Sequence, residues 1–279
     1  MNENTQEVVK NMRSNLAALA AEHMSAESDE EAHIVMLKAV PIYLALFEVF
    51  MKEGNTEEGI WNYKEAVRVL AELFNETGDK KYFYGFCEKS LFLARWHSDN
   101  DYYEEAETYF TNLLSLTDTH IDVHPLKITI DDFNNPAILE LKGKITFFYA
   151  ILLRRMKEYK KCLRIYDISF EFFKILQEKG LDFKSQLLQM QSNIAHVYDE
   201  MGDFDMANTY FNLAIGALIA WESRAKGVYT KHILGYANEM FKLYDKYSKP
   251  DKKDLLSKAI ENDFSEETKW MLDELGIVV

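Results

Sequence analysis

Three residues near the middle of this 279-residue sequence alternate in a way that could bind a metal ion. In an extended segment His120, Asp122 and His124 point to one face, and imidazole and carboxylate groups are common metal ligands. The alternative is a surface flap whose Ile121 and Val123 pack down onto the protein. Because a metal site would need further ligands from elsewhere, we expect the flap and keep a metal-dependent enzyme as an alternative function.

A larger set of polar, basic and apolar residues could bind an extended peptide. Such a peptide presents unpaired amide groups, an asparagine side chain both donates and accepts hydrogen bonds, and lysine or arginine can bind a terminal carboxylate. The alternative for each of these residues is an ordinary exposed polar face. The predicted binding residues are Phe92, Arg95, Lys144, Phe148, Ile151, Arg154, Ser192, Asn193, His196, Asp199, Lys231 and Asn238.

The common signatures of enzymes are absent from the sequence. It contains no GxxxxGKS/T, paired-glycine dinucleotide loop, HExxH or GxSxG motif. Cys87 and Cys162 lack the CxxC spacing of a zinc site, and we expect both to be small core or groove residues. The sequence therefore predicts neither catalysis nor a cofactor or metal.

The composition favours long helices in a soluble protein. Hydrophobic residues make up 48% of the chain, and 11 glycines and 4 prolines are too few for a turn-rich β protein. The formal net charge of -14 repels phosphate backbones and anionic membranes. The N-terminus lacks the apolar core of a signal peptide, and no continuous apolar run reaches the length of a membrane span, about 18 residues. We therefore predict a cytoplasmic protein that binds neither nucleic acid nor membrane, with a homo-oligomer left open.

A repeated helical hairpin is the element that would position the binding residues. The clearest unit runs from Ser192 to Ile215 and has two apolar stripes with the spacings of three and four that are typical of amphipathic helices. Gly202 and Asp203 lie between the stripes, where glycine permits a tight reversal. The unit predicts that Ala207 is buried between the helices. The stripes contain Ile194, Ala195 and Tyr198, then Phe204, Ala207, Phe211 and Ala214.

Three further units upstream follow the same order of small and aromatic residues. Cys162 precedes Ala207 by 45 residues, Ala106 precedes Cys162 by 56, and Gly59 precedes Ala106 by 47. Four hairpins therefore cover about 33–223.

The longest of these offsets predicts an insert between the second and third hairpins. We place it at about 117–135, because Pro125 and the run Asn134-Asn135-Pro136 oppose a helix. The insert carries the three candidate metal ligands.

Both ends of the chain differ from the repeats and predict helical caps. Residues 1–32 combine an amphipathic helix from Thr5 to His23 with an acidic linker. Residues 224–279 contain a helix from Val228 to Tyr247 that Pro250 stops, followed by two short helices. Terminal repeats of solenoids need such caps to cover their open apolar faces. The two short helices are predicted at about 255–260 and 266–275.

The small and aromatic positions of the hairpins resemble the tetratricopeptide repeat. In that family small residues lie where the two helices of a hairpin touch, and aromatic residues fill the space between hairpins. The offsets exceed the usual repeat length of about 34 residues, so the helices are longer. Long repeats of this kind resemble those of bacterial peptide-pheromone sensors of the Rap and Rgg type. The resemblance implies an all-α fold, a right-handed superhelix of hairpins (an α-solenoid) with helical caps.

The same resemblance implies a function for the concave groove of the array. In peptide-binding members of the family, an asparagine at the place of Asn193 clamps the main chain of the ligand, and basic residues meet its carboxylate. We therefore expect a protein- or peptide-binding interaction module. The alternative is a peptide-sensing regulator, whose groove ligand changes the superhelical pitch and so controls a second protein.

Overall fold

The computed structural model describes residues 1–117, 135–262, 264 and 269–277. These ranges contain helices joined by turns and loops, and no strand occurs within them. The predicted all-α class is therefore confirmed. The helices of the described residues are α1 Glu3–Met24, α2 Asp29–Lys52, α3 Thr56–Thr77, α4 Lys80–Asp99, α5 Tyr103–Thr117, α6 Pro136–Arg155, α7 Tyr159–Glu178, α8 Lys184–Met201, α9 Phe204–Glu222, α10 Thr230–Lys246, α11 Pro250–Glu261 and α12 Lys269–Leu275.

The chain divides into two compact units, and the division falls within α6. Unit 1 is Met1–Leu141 and unit 2 is Lys142–Val279. Helices that follow one another in the sequence pack together, from α1 to α5 in unit 1 and from α7 to α12 in unit 2. Such packing of sequence neighbours is expected of helical repeats.

Short polar side chains determine where several helices begin. Asn2, Ser28, Asn55, Asp79 and Asp203 each accept a hydrogen bond from a backbone N–H group in the first turn of the helix that follows. The first four N–H groups of a helix have no partner inside it, so these contacts stabilise each N-terminus.

The clearest repeat of the sequence forms the hairpin of α8 and α9. Gly202 ends α8 in a left-handed backbone conformation with φ of 83°, and Asp203 caps α9. Ala195 and Ala207 are fully buried in one cluster that includes residues of both helices. The predicted turn and the predicted burial of Ala207 are confirmed.

Small residues also let α6 and α7 approach closely. Cys162 donates a hydrogen bond from its thiol to the carbonyl oxygen of Ala150 at 3.2 Å, and the hydroxyl of Ser169 donates to the carbonyl oxygen of Gly143 at 2.9 Å. A Cβ atom at Gly143 would lie 2.9 Å from the ring of Phe173. Cys162 is a buried free thiol, as predicted, and burial raises its pKa to about 12.

The hairpins of unit 1 are packed by the same kind of residue. Ala94 of α4 and Ala106 of α5 are fully buried, and so is Ala66 of α3. A Cβ atom at Gly59 would lie 2.9 Å from the sulfur of Met51, so the absence of a side chain permits the contact of α2 with α3. The predicted small positions therefore lie in helix contacts in both units.

The N-terminal helix α1 packs against α2, the first helix of the hairpin that follows it. Val9 of α1 packs with Leu46 and Phe50 of α2 in a buried cluster. The acidic residues that we predicted as a linker differ from the prediction, because Asp29, Glu30 and Glu31 form the first turn of α2. Negative charge is favourable there because it faces the positive end of the helix dipole.

Two buried hydrogen bonds hold the C-terminal helices of unit 2. The hydroxyl of Tyr244 donates to Asn208 Oδ1 at 3.0 Å, and the amide of Asn212 donates to the carbonyl oxygen of Leu275 at 2.7 Å. Pro250 begins α11 in addition to following the end of α10, because the first turn of a helix needs no N–H from that residue. The first closing helix is therefore longer than predicted.

One helix of the described residues, α2, is long and apolar enough to cross a membrane by length and composition. Lys38 and Glu48 interrupt the apolar run of this helix, and a window of 18 residues in it reaches a mean hydropathy of 2.0. Within unit 1 α2 packs against both α1 and α3, which gives its apolar residues neighbours on two sides.

A buried histidine lies in an aromatic cluster at the end of α4. The ring of His97 stacks on Tyr109 with the centroids 5.5 Å apart, and it meets Trp96 and Tyr102 edge to face. Neither ring nitrogen has a hydrogen-bond partner among the described residues. Burial, and then the positive charge of Lys64, lower the pKa of His97. The fold therefore favours the neutral imidazole.

We expect acid to destabilise the protein in part through His97. An imidazole in the unfolded chain takes up a proton near pH 6.5, whereas the folded protein resists protonation. The contribution to stability is therefore complete above that pH and is lost as the pH falls below it. His97→Phe keeps an aromatic ring and should lose less stability than wild type between about pH 7 and about pH 5.

The measurement is urea unfolding at both pH values. His232→Phe is the matched control, since His232 is exposed on α10, and it should follow wild type. An equal loss of stability in His97→Phe and wild type would show that His97 does not resist protonation.

Candidate functional site

The first helices of three consecutive hairpins, α6, α8 and α10, are joined by side-chain contacts in unit 2. Arg154 of α6 donates from Nε and Nη2 to Glu200 Oε1 of α8, at 3.0 and 2.6 Å. Lys246 of α10 donates to Asp199 Oδ1 at 2.6 Å and to the carbonyl oxygen of the same residue at 3.1 Å. Helix α8 therefore has α6 and α10 as neighbours, and we call the residues that join them the α8 surface. It comprises Arg154, Ser192, Asn193, His196, Asp199, Glu200, Tyr236, Glu239 and Lys246.

The predicted binding residues of α6 form one stripe beside the α8 surface. Lys144, Phe148, Ile151 and Arg154 are separated by four, three and three residues, the spacing of one helix face, and all four are half-buried. Lys144 and Phe148 already interact with other groups of the protein. The stripe offers an aromatic and an aliphatic side chain between two basic ones.

His196 lies at the centre of the α8 surface. Its ring meets Phe211 edge to face, with the centroids 5.2 Å apart. Burial lowers its pKa most, the positive charge of Arg154 lowers it further, and the carboxylates of Glu239, Asp199 and Glu200 act in the opposite direction. The pKa is lowered on balance, so the imidazole is mostly neutral near pH 7 and can donate one hydrogen bond and accept another.

Asn193 lies beside a buried tyrosine of α7. Tyr166 is fully buried, and its hydroxyl makes no hydrogen bond of good geometry with a described residue. Burial raises the pKa of Tyr166, and the Asn193 side chain acts in the opposite direction. Asn193 is half-buried, so it has a neighbour inside the protein as well as access to the surface. Burial likewise raises the pKa of Tyr236 of α10, and the side chain of Ser192 acts in the opposite direction.

The remaining predicted residues occupy different environments. Lys231 and Asn238 are exposed on α10. Phe92 and Arg95 belong to unit 1, whereas the other ten predicted residues belong to unit 2. The ring of Phe92 lies 4.4 Å from that of Tyr63 and packs in an aromatic cluster, and Arg95 is exposed and interacts within the protein.

Four residues of the α8 surface were missed by the sequence prediction. They are Glu200, Tyr236, Glu239 and Lys246. The last three recur on α10 at spacings of three and seven, which place them on one helix face. That spacing was visible in the sequence, but the pairing of each residue with α8 depends on how the hairpins stack.

The charges of the α8 surface are largely paired within the protein. Arg154 is neutralised by Glu200, and Asp199 by Lys246. The polar groups of Ser192, Asn193 and the neutral His196 therefore suit hydrogen bonding to main-chain amides better than recognition of a charge.

The candidate metal ligands His120, Asp122 and His124 lie outside the described residues, and so does the predicted insert apart from its end residues 117 and 135. In the part of the chain that the structure describes, no group of three or more His, Cys, Asp or Glu residues could hold a metal ion.

Residues 188–217, which lie in α8 and α9, match the tetratricopeptide repeat family. No curated protein gives a significant match. BtubC (BKLC) from P. vanneervenii is similar over 93% of this chain and 92% of its own, with a TM-score of 0.58 and 13% identity. A Signal Transduction ATPase with Numerous Domains (STAND) with a tetratricopeptide repeat sensor, from Pyrococcus horikoshii, is similar over 98% of this chain but only 41% of its own, with a TM-score of 0.52 and 13% identity. At this identity the likeness concerns the fold, and the finer resemblance to pheromone sensors stays a prediction.

Proposed function

We propose that this tetratricopeptide-repeat protein is an interaction module that binds an extended peptide segment of a partner protein on the α8 surface. The observation that carries the proposal is the row of Ser192, Asn193 and His196 on α8, between ion pairs that neutralise the neighbouring charges. An extended peptide needs partners for its amide groups, and these three side chains supply both donors and acceptors.

The α6 stripe supports the same function. Phe148 and Ile151 are half-buried, so each keeps apolar surface that ligand side chains can cover. Alternate side chains of an extended segment point to opposite sides, so one set can contact this stripe while the main chain meets α8. Apolar contacts then supply affinity, and the hydrogen bonds fix the register of the ligand.

Replacing Asn193 should weaken binding without unfolding the protein. Asn193→Ala removes hydrogen bonds to the peptide main chain, and the loss of one such bond costs about 0.5–1.5 kcal/mol. The affinity should therefore fall by about three- to tenfold. The measurement is binding of a library of extended peptides, and of a co-purified partner where one is found, to wild type and variant.

Two controls separate binding from stability. Circular dichroism and thermal unfolding report the effect on the fold, because Asn193→Ala also removes the polar neighbour of the Tyr166 hydroxyl. Tyr166→Phe removes that hydroxyl and keeps Asn193, so it should bind like wild type. Undiminished binding by a folded Asn193→Ala variant would move the binding site away from the α8 surface.

A further inference from the structure

A second candidate site lies in unit 1, and it shares no residue with the α8 surface. It is a cavity of about 930 Å³ that is open to solvent and is lined by α1, α2, α3 and the residues just before α3. Its chemistry differs from that of the α8 surface, because its lining places two aromatic rings beside two carboxylates. The residues that carry the argument are Arg13, Tyr43, Glu57, Glu58, Trp61 and Asn62.

Two aromatic rings form one wall of the cavity. Trp61 of α3 is 53% exposed, which is a large fraction for a tryptophan, since this residue is highly buried on average. Tyr43 meets Trp61 edge to face, with the ring centroids 6.5 Å apart. The face of a tryptophan ring attracts cations and packs against the methylene groups of long basic side chains.

Two carboxylates lie beside that wall, in the first turn of α3. Glu58 is paired with Arg13 of α1 at 3.0 Å, and the Arg13 guanidinium also lies over the ring of Phe50, 5.6 Å from its centroid. The neighbouring Glu57 is exposed. Arg13 is therefore a basic group of the chain itself that lies against a carboxylate and an aromatic ring at this cavity. The carboxylate of Glu57 is a second anionic group, and it is accessible to a ligand.

A buried amide completes the polar lining. Asn62 is only 1% exposed, and its amide nitrogen donates to the carbonyl oxygen of Glu58 at 2.7 Å. The oxygen of the same amide is an acceptor that this bond does not use. An acceptor of this kind suits an N–H donor of an ammonium or guanidinium group.

We propose that this cavity binds a lysine or arginine side chain presented by a basic segment of a partner protein. The cation contacts the carboxylate of Glu57 and the side-chain oxygen of Asn62, and its aliphatic stem lies on Trp61. The overall negative charge of the chain, -14, draws basic segments toward it at long range. The site is independent of the α8 surface, where charges are paired and main-chain groups are the expected ligand.

The test uses the full chain and two fluorescent peptides of equal length, one of alternating alanine and lysine or arginine and one with glutamate in place of the basic residues. We expect the basic peptide to bind and the acidic one not to bind. Trp61→Leu should weaken binding by about two- to fivefold, through the loss of the cation–π contact. Glu57→Gln should also weaken binding of the basic peptide. The loss of affinity should be larger at low salt than at high salt, because the contact is ionic.

Three variants make the result specific to this cavity. Arg13→Ala frees Glu58 and should strengthen binding of the basic peptide, which a merely structural role of Arg13 would not do. Trp270→Leu, at a tryptophan of unit 2 that is 55% exposed, should leave binding unchanged. Asn193→Ala should also leave it unchanged, so a failure of the peptide-binding proposal for the α8 surface is separable from a failure here.

Three results would overturn the inference. The first is that the basic peptide binds no better than the acidic peptide. The second is that its affinity is the same for wild type, Trp61→Leu and Glu57→Gln, all of them folded by circular dichroism. Loss of basic-peptide binding in Asn193→Ala would likewise assign the peptide to the α8 surface and not to the cavity.

Discussion

Ala207→Glu should destabilise unit 2 on the order of 4 kcal/mol, which is within the range for an unpaired buried charge. Ala207 is fully buried in the cluster shared by α8 and α9, so a glutamate there has neither solvent nor space. A carboxylate that cannot reach water must lose its hydration or take up a proton, and both cost free energy. The side chain would also have to displace the buried groups of α8 and α9 that pack around it.

Urea and thermal unfolding of the purified variant measure this effect. Thr209→Glu is the matched control, since Thr209 lies two residues away on the same helix and is exposed. It should change the free energy of unfolding by about 0.5 kcal/mol or less. If Ala207→Glu unfolds at the wild-type temperature, the register of this hairpin is wrong.

Gly143→Ala should cost about 1–2 kcal/mol, although alanine is the better helix former. The added methyl group would lie 2.9 Å from the ring of Phe173, and forcing extra atoms into a packed core typically costs about 1–3 kcal/mol. Phe173 has little room to withdraw, because it is 1% exposed and its ring lies 5.2 Å from that of Phe183. The helix propensity of alanine offsets the cost by at most about 1 kcal/mol.

Gly235→Ala, at another helical glycine, should stabilise the protein instead. A Cβ atom at Gly235 meets nothing within 4 Å, so this variant should gain about 0.5–1 kcal/mol from propensity alone. Phe173→Leu should restore part of the stability that Gly143→Ala loses, since the smaller side chain leaves room for the methyl group. Wild type, Gly143→Ala, Phe173→Leu and the variant with both changes form a cycle that isolates the contact of residue 143 with residue 173. If Gly143→Ala and Gly235→Ala change the free energy of unfolding equally, the close approach of Phe173 does not explain the glycine at position 143.

The pattern of small and aromatic residues was sufficient to predict the hairpins, because helix contact constrains both. Ala195, Ala207 and Cys162 had to be small where two backbones approach, and each is fully buried. The end of a helix is decided by weaker and more local effects. Capping by Ser28 places three acidic residues inside α2, whereas acidic composition alone suggested a linker.

The candidate site was less predictable than the fold, because its contacts join helices that are far apart in the sequence. Arg154 and Glu200 are separated by 46 residues, and Lys246 and Asp199 by 47. Sequence periodicity shows which face of a helix a residue occupies, but it does not show which partner neutralises it. The aromatic cavity of unit 1 was missed for a related reason, since Trp61 fits the apolar pattern of α3 and only the structure shows its exposure.

Each unit contains a buried cysteine whose chemical labelling can report local unfolding of that unit. Cys87 belongs to unit 1 and Cys162 to unit 2, both are fully buried, and burial raises the pKa of both thiols. Alkylating reagents attack the thiolate, so neither cysteine is modified while its unit stays closed. The rate at which each one is labelled in a native buffer therefore reports how often its own surroundings open. Mass spectrometry of the labelled peptides can thus compare the local stability of the two units in the unmodified chain.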